Sequence, residues 1–187
     1  FYGRGMSEIL LGQILPDSPR YQLIIITKIR RYAGNHFDYS AKRVAESVDV
    51  SLERMRLEHL DMVFCHDIEY GDINQVIEET LPALQRQVAK GKVRYVGFSN
   101  FDHHPKLADQ VAALQAKMGY MHMISSQPRY NLVDRHVEDG HVAYCKKHGI
   151  GMIVYSPLAQ GVLTNKYAGG QVPAGSRATG DFKHFLE

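Results

Sequence analysis

Three observations predict an α/β chain that forms part of a parallel (β/α)8 TIM barrel, about five strands with their helices. Short apolar runs rich in β-branched residues recur at 23–27, 61–65, 93–98, 122–126 and 150–155. Runs of this length, bounded by turn residues, read as strands buried on both faces. Helical patterns separate them at a spacing of roughly 30–40 residues, the length of one βα unit. Each run also leads into a polar residue suited to chemistry: Lys28, His66, Ser99-Asn100, Gln127 and Tyr155. A parallel barrel collects the C-terminal ends of its strands on one face, where such folds build their sites. Five separate stretches of chain are therefore expected to converge on one pocket.

The elements follow in order. Residues 6–15 suggest a short helix with Ser7 near its start and Pro16 ending it. After the strand at 23–27, Ser40 reads as the N-cap of a helix with Val44, Val48, Leu52 and Met55 on one face. Asp72 can cap the helix that follows the strand at 61–65. That helix turns Ile73, Val76, Ile77, Leu81, Leu84 and Val88 inward and stops at Gly91. Pro82 inside the pattern predicts a kink or local break. Helices at 105–118 and 136–148 complete the alternation. Beyond Tyr155, Gly and Pro punctuate the segments 156–161 and 169–180, which read as loops.

Composition narrows the classes of function. At 44% hydrophobic over 187 residues, the chain is long enough for a substantial core. A net charge of +2 gives no basic field for nucleic acid. No apolar run approaches the roughly 20 residues of a membrane span. Cys65 and Cys145 fall in a strand and a helix, as buried free thiols of a reducing compartment would, so a cytoplasmic location is expected. The first residue is Phe1, and five strands are too few for a closed barrel. The chain is thus expected to be one fragmentary domain, 1–187, cut from a longer protein.

Tyr2, Lys28 and His66 compose a proton-transfer set. A free tyrosine has a pKa of about 10, too high for ready proton donation near neutrality. A lysine ammonium within reach stabilises the phenolate and lowers that value. An imidazole beside them can orient a carbonyl oxygen toward the phenol. A carbonyl held there can accept hydride at carbon while Tyr2 protonates its oxygen. The remaining candidates suit a nicotinamide donor. Ser99, Asn100 and Gln127 can pin its carboxamide, and Tyr155 can stack on its ring. The loop Ser156, Pro157, Leu158, Ala159, Gln160, Gly161 can turn backbone N–H groups toward a pyrophosphate, with Lys166 and Arg177 near the phosphates. No Gly-x-Gly-x-x-Gly follows a strand, so dinucleotide binding in the Rossmann manner is not expected. The remaining histidines lack metal-ligand spacing, so no metal is expected and they read as surface residues.

These motifs resemble those of the aldo-keto reductase superfamily over essentially residues 1–180. Phe1-Tyr2-Gly3 with Ser7-Glu8 and Leu11-Gly12 is similar to the family's tyrosine segment. Ile25-Ile26-Thr27-Lys28 and the run from Asp61 to His66 are similar to its lysine and histidine segments. The stretch from Gly91 to Asn100 is the most specific match. Gln127-Pro128-Arg129-Tyr130-Asn131, the run from Tyr155 to Gly161, Lys166-Tyr167 and Ser176-Arg177 resemble its cofactor segments. The resemblance implies Tyr2 as proton donor, Lys28 as the group that lowers its pKa, and His66 as the group that orients substrate. It implies an aspartate partner for the lysine that would lie before Phe1. The segment that usually selects the cofactor has no counterpart here, so family frequency alone favours NADP(H) over NAD(H).

Within the family, residues 37–44 and 65–71 resemble the branch containing L-galactose and D-arabinose dehydrogenases. That branch implies a sugar substrate, with Asp67 and Glu69 placed to accept hydrogen bonds from sugar hydroxyls. The alternative for those carboxylates is to face solvent or pair with Arg30 and Arg31. Small-molecule carbonyls or sugars are the expected partners, with no nucleic acid and no membrane. A cofactor-binding regulatory subunit of the same fold, resembling potassium-channel β subunits, is the alternative to an enzyme. The isolated chain is expected not to be a competent reductase.

Overall fold

The computed structural model describes residues 5–29, 31–33, 36–99, 109, 113 and 123–179. Its centre is a parallel five-stranded sheet. The strands are β1 (Ile26–Ile29), β4 (Leu60–Cys65), β5 (Val93–Ser99), β6 (Met123–Gln127) and β7 (Gly151–Met152), in that spatial order. Between β1 and β4 lies a small antiparallel ribbon, β2 (Arg31–Ala33) with β3 (His36–Phe37), which has no counterpart among the predicted elements. The sheet is open among the described residues, with β1 and β7 at its edges. This is the partial barrel that the spacing of apolar runs predicts.

Two strands differ from their predicted bounds by more than one residue. Instead of 23–27, β1 spans Ile26–Ile29, because side chains claim the backbone just before it. Arg20 donates to the Leu23 carbonyl at 2.8 Å, and the Ile25 N–H donates to the Asp61 carboxylate at 2.7 Å. Lys28 consequently sits within the strand, paired in register with Phe64. Only Gly151–Met152 of the predicted 150–155 pairs as a strand, and Tyr155 forms an isolated parallel bridge to Arg129.

The helices follow the sequence signals closely. Helix α1 (Met6–Ile14) runs into a 3₁₀ turn at Leu15–Asp17 that contains Pro16. Helix α2 (Ala41–Met55) begins where the Ser40 hydroxyl accepts from the Arg43 N–H, and it buries Val44, Val48, Leu52 and Met55. A single turn α3 (Ile73–Gln75), capped by Asp72, passes through a π turn (Val76–Thr80) into α4 (Leu81–Ala89). The break coincides with Pro82, which has no N–H to donate back to residue 78, so the preceding turn widens. The predicted helix 136–148 is split in two. A 3₁₀ turn (His136–Glu138) and Gly140, at φ 121°, precede α5 (His141–His148). The predicted helix 105–118 lies almost wholly outside the described residues.

Side chains of successive strand residues alternate between faces. Ile29, Val63, Cys65, Val96 and Phe98 join the α2 residues and Val76, Ala83 and Leu84 in the buried core. Fully burying an aliphatic side chain of this kind contributes about 1.5–3 kcal/mol. All six residues of β4 are buried, as a central strand covered on both sides requires. Lys28, Phe64, Gly97 and Ser125, level with one another in register, lie on the opposite face. A Cβ on Gly97 would sit 2.6 Å from the Phe64 ring and 2.8 Å from the Ser125 carbonyl. Only glycine lets that ring lie across β5. Both cysteines are buried, and among the described residues neither forms a disulfide. Among the described residues no helix is long and apolar enough to cross a membrane.

Candidate active site

The strand ends position the site. Lys28 near the end of β1, His66 just beyond β4 and Gln127 at the end of β6 line one cavity of about 310 Å³. Phe64 and Ile153 supply apolar wall, and α1 closes the β1 side with Ser7, Glu8 and Leu11. Three of the predicted site residues, far apart in sequence, thus share one space because parallel strands of similar length end at one level.

Glu8 ties that wall together. Its carboxylate accepts from the Thr27 hydroxyl at 2.7 Å, the Ser51 hydroxyl at 2.8 Å and the Arg54 guanidinium at 3.2 Å. Thr27 precedes Lys28, and Ser51 and Arg54 belong to α2. One side chain therefore fixes α1 against both the lysine strand and the second helix. Sequence alone gives Glu8 no role beyond the resemblance; a carboxylate immediately before the apolar run Ile9-Leu10-Leu11 is the available signal.

His66 is 8% exposed and turns into a corner held from three sides. Asp67 adopts a left-handed conformation, φ 52° and ψ 47°. Its N–H donates to the Ser99 hydroxyl oxygen at 3.1 Å, and its carbonyl accepts from the Tyr39 hydroxyl at 2.5 Å. Tyr39 is itself buried and packs so close to Gly71 that a Cβ there would fall 2.1 Å from its ring. The Asp67 carboxylate, also buried, lies 3.3 Å from His66 Nε2. Asp67 therefore does not face solvent, the placement weighed for it from the sequence. Ser99 is buried at 2%, with its oxygen engaged by this corner. The Glu69 side chain lies outside what the structure describes.

The loops after β6 and β7 are joined to each other. Tyr155 N–H donates to the Pro128 carbonyl at 3.0 Å, and Asn131 Nδ2 donates to the Ser156 carbonyl at 3.1 Å. Asn131 also accepts from the Val133 and Asp134 N–H groups. Asp134 in turn binds Arg129 and His136. The hydrogen bond from His136 foremost, aided by Arg129, holds the Asp134 carboxyl below its ordinary value despite burial. His136 and His141 are partly buried and bonded, not the free surface histidines the spacing implied. His141 Nε2 lies 2.9 Å from the Ser126 hydroxyl.

Beyond Tyr155 the backbone is unusual. Ser156, Ala159 and Gln160 have φ of 54°, 46° and 60°. Positive φ in non-glycine residues costs about 1–3 kcal/mol and clusters at functional sites. Gln160 Nε2 donates to the Ser156 hydroxyl at 3.0 Å. The N–H groups of Ala159 and Gly161 already donate to Ser156 and Leu158 within the loop's own turns. Those two are thus not the free donors to a pyrophosphate that the sequence suggested. Pro157 and Leu158 are exposed, and Lys166 lies exposed above the Tyr167 ring, 5.9 Å from its centre. Arg177 opens a 3₁₀ turn to Thr179. Tyr2 and Asn100, and the side chain of Arg177, lie outside the described residues.

A model of the Aldo/keto reductase family matches residues 1–184. The chain is 39% identical over 170 residues to L-galactose dehydrogenase of Arabidopsis thaliana, covering 89% of this chain and 51% of that protein. It is 31% identical to a probable voltage-gated potassium channel subunit beta of Oryza sativa subsp. japonica, over 94% of this chain and 54% of that one. It is 30% identical to the NADH-specific methylglyoxal reductase of Escherichia coli (strain K12), over 95% of this chain and 56% of that one. The chain spans about half the length of the curated relatives it matches. With the parallel half-sheet, the strand-end lysine and histidine in one cavity, and a family match along nearly all of its length, the chain belongs to the aldo/keto reductase family.

Proposed function

We propose that the protein is an NAD(P)-dependent oxidoreductase that interconverts an aldehyde, ketone or sugar carbonyl with its alcohol. The observation that carries this reading is the meeting of Lys28, His66 and Gln127 in one cavity at the strand ends. In this reading Tyr2 gives the proton, with Lys28 as the charge that eases its release. His66 directs the substrate oxygen. Positioned acid catalysis of this kind contributes roughly 100- to 10,000-fold. The domain 1–187 is read as one part of a longer barrel, whose remaining strands would pair with the open edges.

The residues present fit a nicotinamide dinucleotide. Tyr167 and Ser176, in the segment assigned to its phosphates, carry buried hydroxyl oxygens without a hydrogen-bond partner among the described residues. The loop from Ser156 to Gly161, with its left-handed residues, is held to the loop after β6 by the Asn131 amide. Ser99, Asn100 and Gln127 would hold the carboxamide, Tyr155 the ring, and Ser156, Pro157, Leu158, Gln160, Lys166 and Arg177 the phosphate side. Bound there, the cofactor supplies or accepts hydride. Gln127 orients it from the cavity wall, and Phe64 and Ile153 keep water from the reacting carbon. The family favours NADP(H), whereas the name of one relative specifies NADH; the choice rests on segments beyond this chain's motifs.

The experiment uses this segment joined to the flanking segments of a relative, so that the barrel is complete. It is offered NAD or NADP with a panel of aldoses, and NADPH or NADH with simple aldehydes, followed by absorbance at the nicotinamide band. Turnover with either class supports the oxidoreductase reading. Turnover with aldehydes only would sink the sugar branch. Binding of the cofactor without any turnover would favour a regulatory subunit instead.

A further inference from the structure

We propose that Asp139 is a modification site: the backbone nitrogen of Gly140 attacks its carboxyl group, and the succinimide that forms reopens to isoaspartate just ahead of α5. The proposal is independent of the oxidoreductase reading.

Asp139-Gly140 is the one Asp-Gly or Asn-Gly pair in the sequence. The succinimide ring closes when the nitrogen of the next residue reaches the aspartate side-chain carbon, and a Cβ on that next residue hinders the approach. Glycine has none, and it leaves the backbone free to turn into the ring. The fold adds what the dipeptide alone does not supply. Asp139 is exposed, between the 3₁₀ turn His136–Glu138 and α5. Its carboxylate makes no hydrogen bond or ion pair among the described residues. The neighbouring carboxylates are held, Asp134 by Arg129 and His136, and Glu138 by Tyr130 and Arg135. The Gly140 N–H, the attacking group, is also unbonded among the described residues. Those of Glu138 and Asp139, by contrast, donate to the Arg135 and His136 carbonyls at 2.9 and 3.1 Å. A Cβ built on Gly140 would meet nothing within 4 Å, so the space through which this peptide swings is open.

The step balances without an oxidant or cofactor. The Gly140 nitrogen gives up its proton and bonds to Cγ of Asp139, and a carboxyl oxygen leaves as water. Water then adds to one of the two ring carbonyls. Opening at the side-chain carbonyl returns aspartate. Opening at the main-chain carbonyl gives isoaspartate, in which the chain runs on through Cβ and Cγ. Atomic composition is unchanged, but the main chain gains one methylene. That methylene enters where α5 is anchored. The Gly140 carbonyl accepts the Tyr144 N–H at 2.8 Å, and His141 Nε2 lies 2.9 Å from the Ser126 hydroxyl on β6. Ser126 in turn precedes Gln127 of the cavity.

The test is prolonged storage of the 187-residue chain at neutral pH and physiological temperature, folded and in guanidinium chloride, beside Asp139→Asn and Asp139→Glu. Isoaspartate is located by proteolysis and electron-transfer fragmentation. It is counted by enzymatic methylation of isoaspartyl carboxyls with a labelled methyl donor. In the folded wild type it should accumulate at residue 139 ahead of every other aspartate. Asp139→Asn should convert several times faster, because ammonia leaves more readily than the carboxyl oxygen. Asp139→Glu, whose ring would have six members, should lose the signal. A folded chain that forms no isoaspartate at 139 while the unfolded chain does would overturn the proposal, since the fold would then protect the pair. Absence from both, or faster accumulation at another aspartate, would overturn it too. The wild-type measurement needs no variant to fold, and none of these readings depends on turnover.

Discussion

Asp61 and His66 stand at opposite ends of the same strand and carry different burdens. Asp61, at the N-terminal end of β4, accepts from Arg20 at 2.6 Å, the Ile25 N–H at 2.7 Å and Arg94 at 3.1 Å. Burial works to raise its carboxyl, but the Ile25 N–H, Arg20 and Arg94 together hold it below the ordinary value. A carboxyl depressed on folding contributes stability that is complete above the unfolded value of about 3.9 and is lost as pH falls from there. Asp61→Asn is expected to cost about 1.5–3 kcal/mol at pH 7, the worth of hydrogen bonds to a charged group. Urea unfolding across pH should show the gap between variant and wild type closing below about pH 4. A gap independent of pH would contradict the assignment. At this scale the sequence named the strand-end residues Lys28, His66 and Gln127, because polar groups after apolar runs stand out. It gave no structural role to Glu8, Tyr39 or Asp61, whose partners lie 19 to 46 residues away along the chain.

Gly12 decides how two elements meet. It is buried where α1 crosses α2, and a Cβ there would fall 2.0 Å from the Arg54 carbonyl oxygen. Alanine in a helix interior normally gains about 0.5–1 kcal/mol over glycine. Here overpacking against backbone costs about 1–3 kcal/mol, so Gly12→Ala is expected to destabilise. Because α1 carries Ser7, Glu8 and Leu11 of the cavity wall, the same change should weaken binding at the site. Thermal unfolding checks the first effect; a variant more stable than wild type would refute the close crossing. Helix caps and stripes were legible from sequence because Ser40, Asp72 and the Val44–Met55 face act within one element. The start of β1 was not, since Arg20 and Asp61 take the backbone of Leu23 and Ile25 from outside the run. Nor was the shortness of β7, beyond which pairing with the β6 side resumes only at the isolated Arg129–Tyr155 bridge.

At the scale of the molecule, a half-sheet with ordered strand ends accounts for the placement of the candidate site before any chemistry is assigned. The fold class was legible because the recurrence of βα units is a property of spacing, which survives even when single strand bounds shift. The completed barrel gives the direct test of the central claim that Tyr2, beside Lys28 and His66, is the acid of a hydride-transfer site. Hydride transfer from NADPH to a reactive aldehyde is measured in the rapid phase for wild type, Tyr2→Phe and Lys28→Met. Cofactor binding is followed in parallel by fluorescence quenching. Both variants should bind cofactor as the wild type does while the chemical step falls roughly 100- to 10,000-fold. A Tyr2→Phe variant with the wild-type rate would contradict the claim.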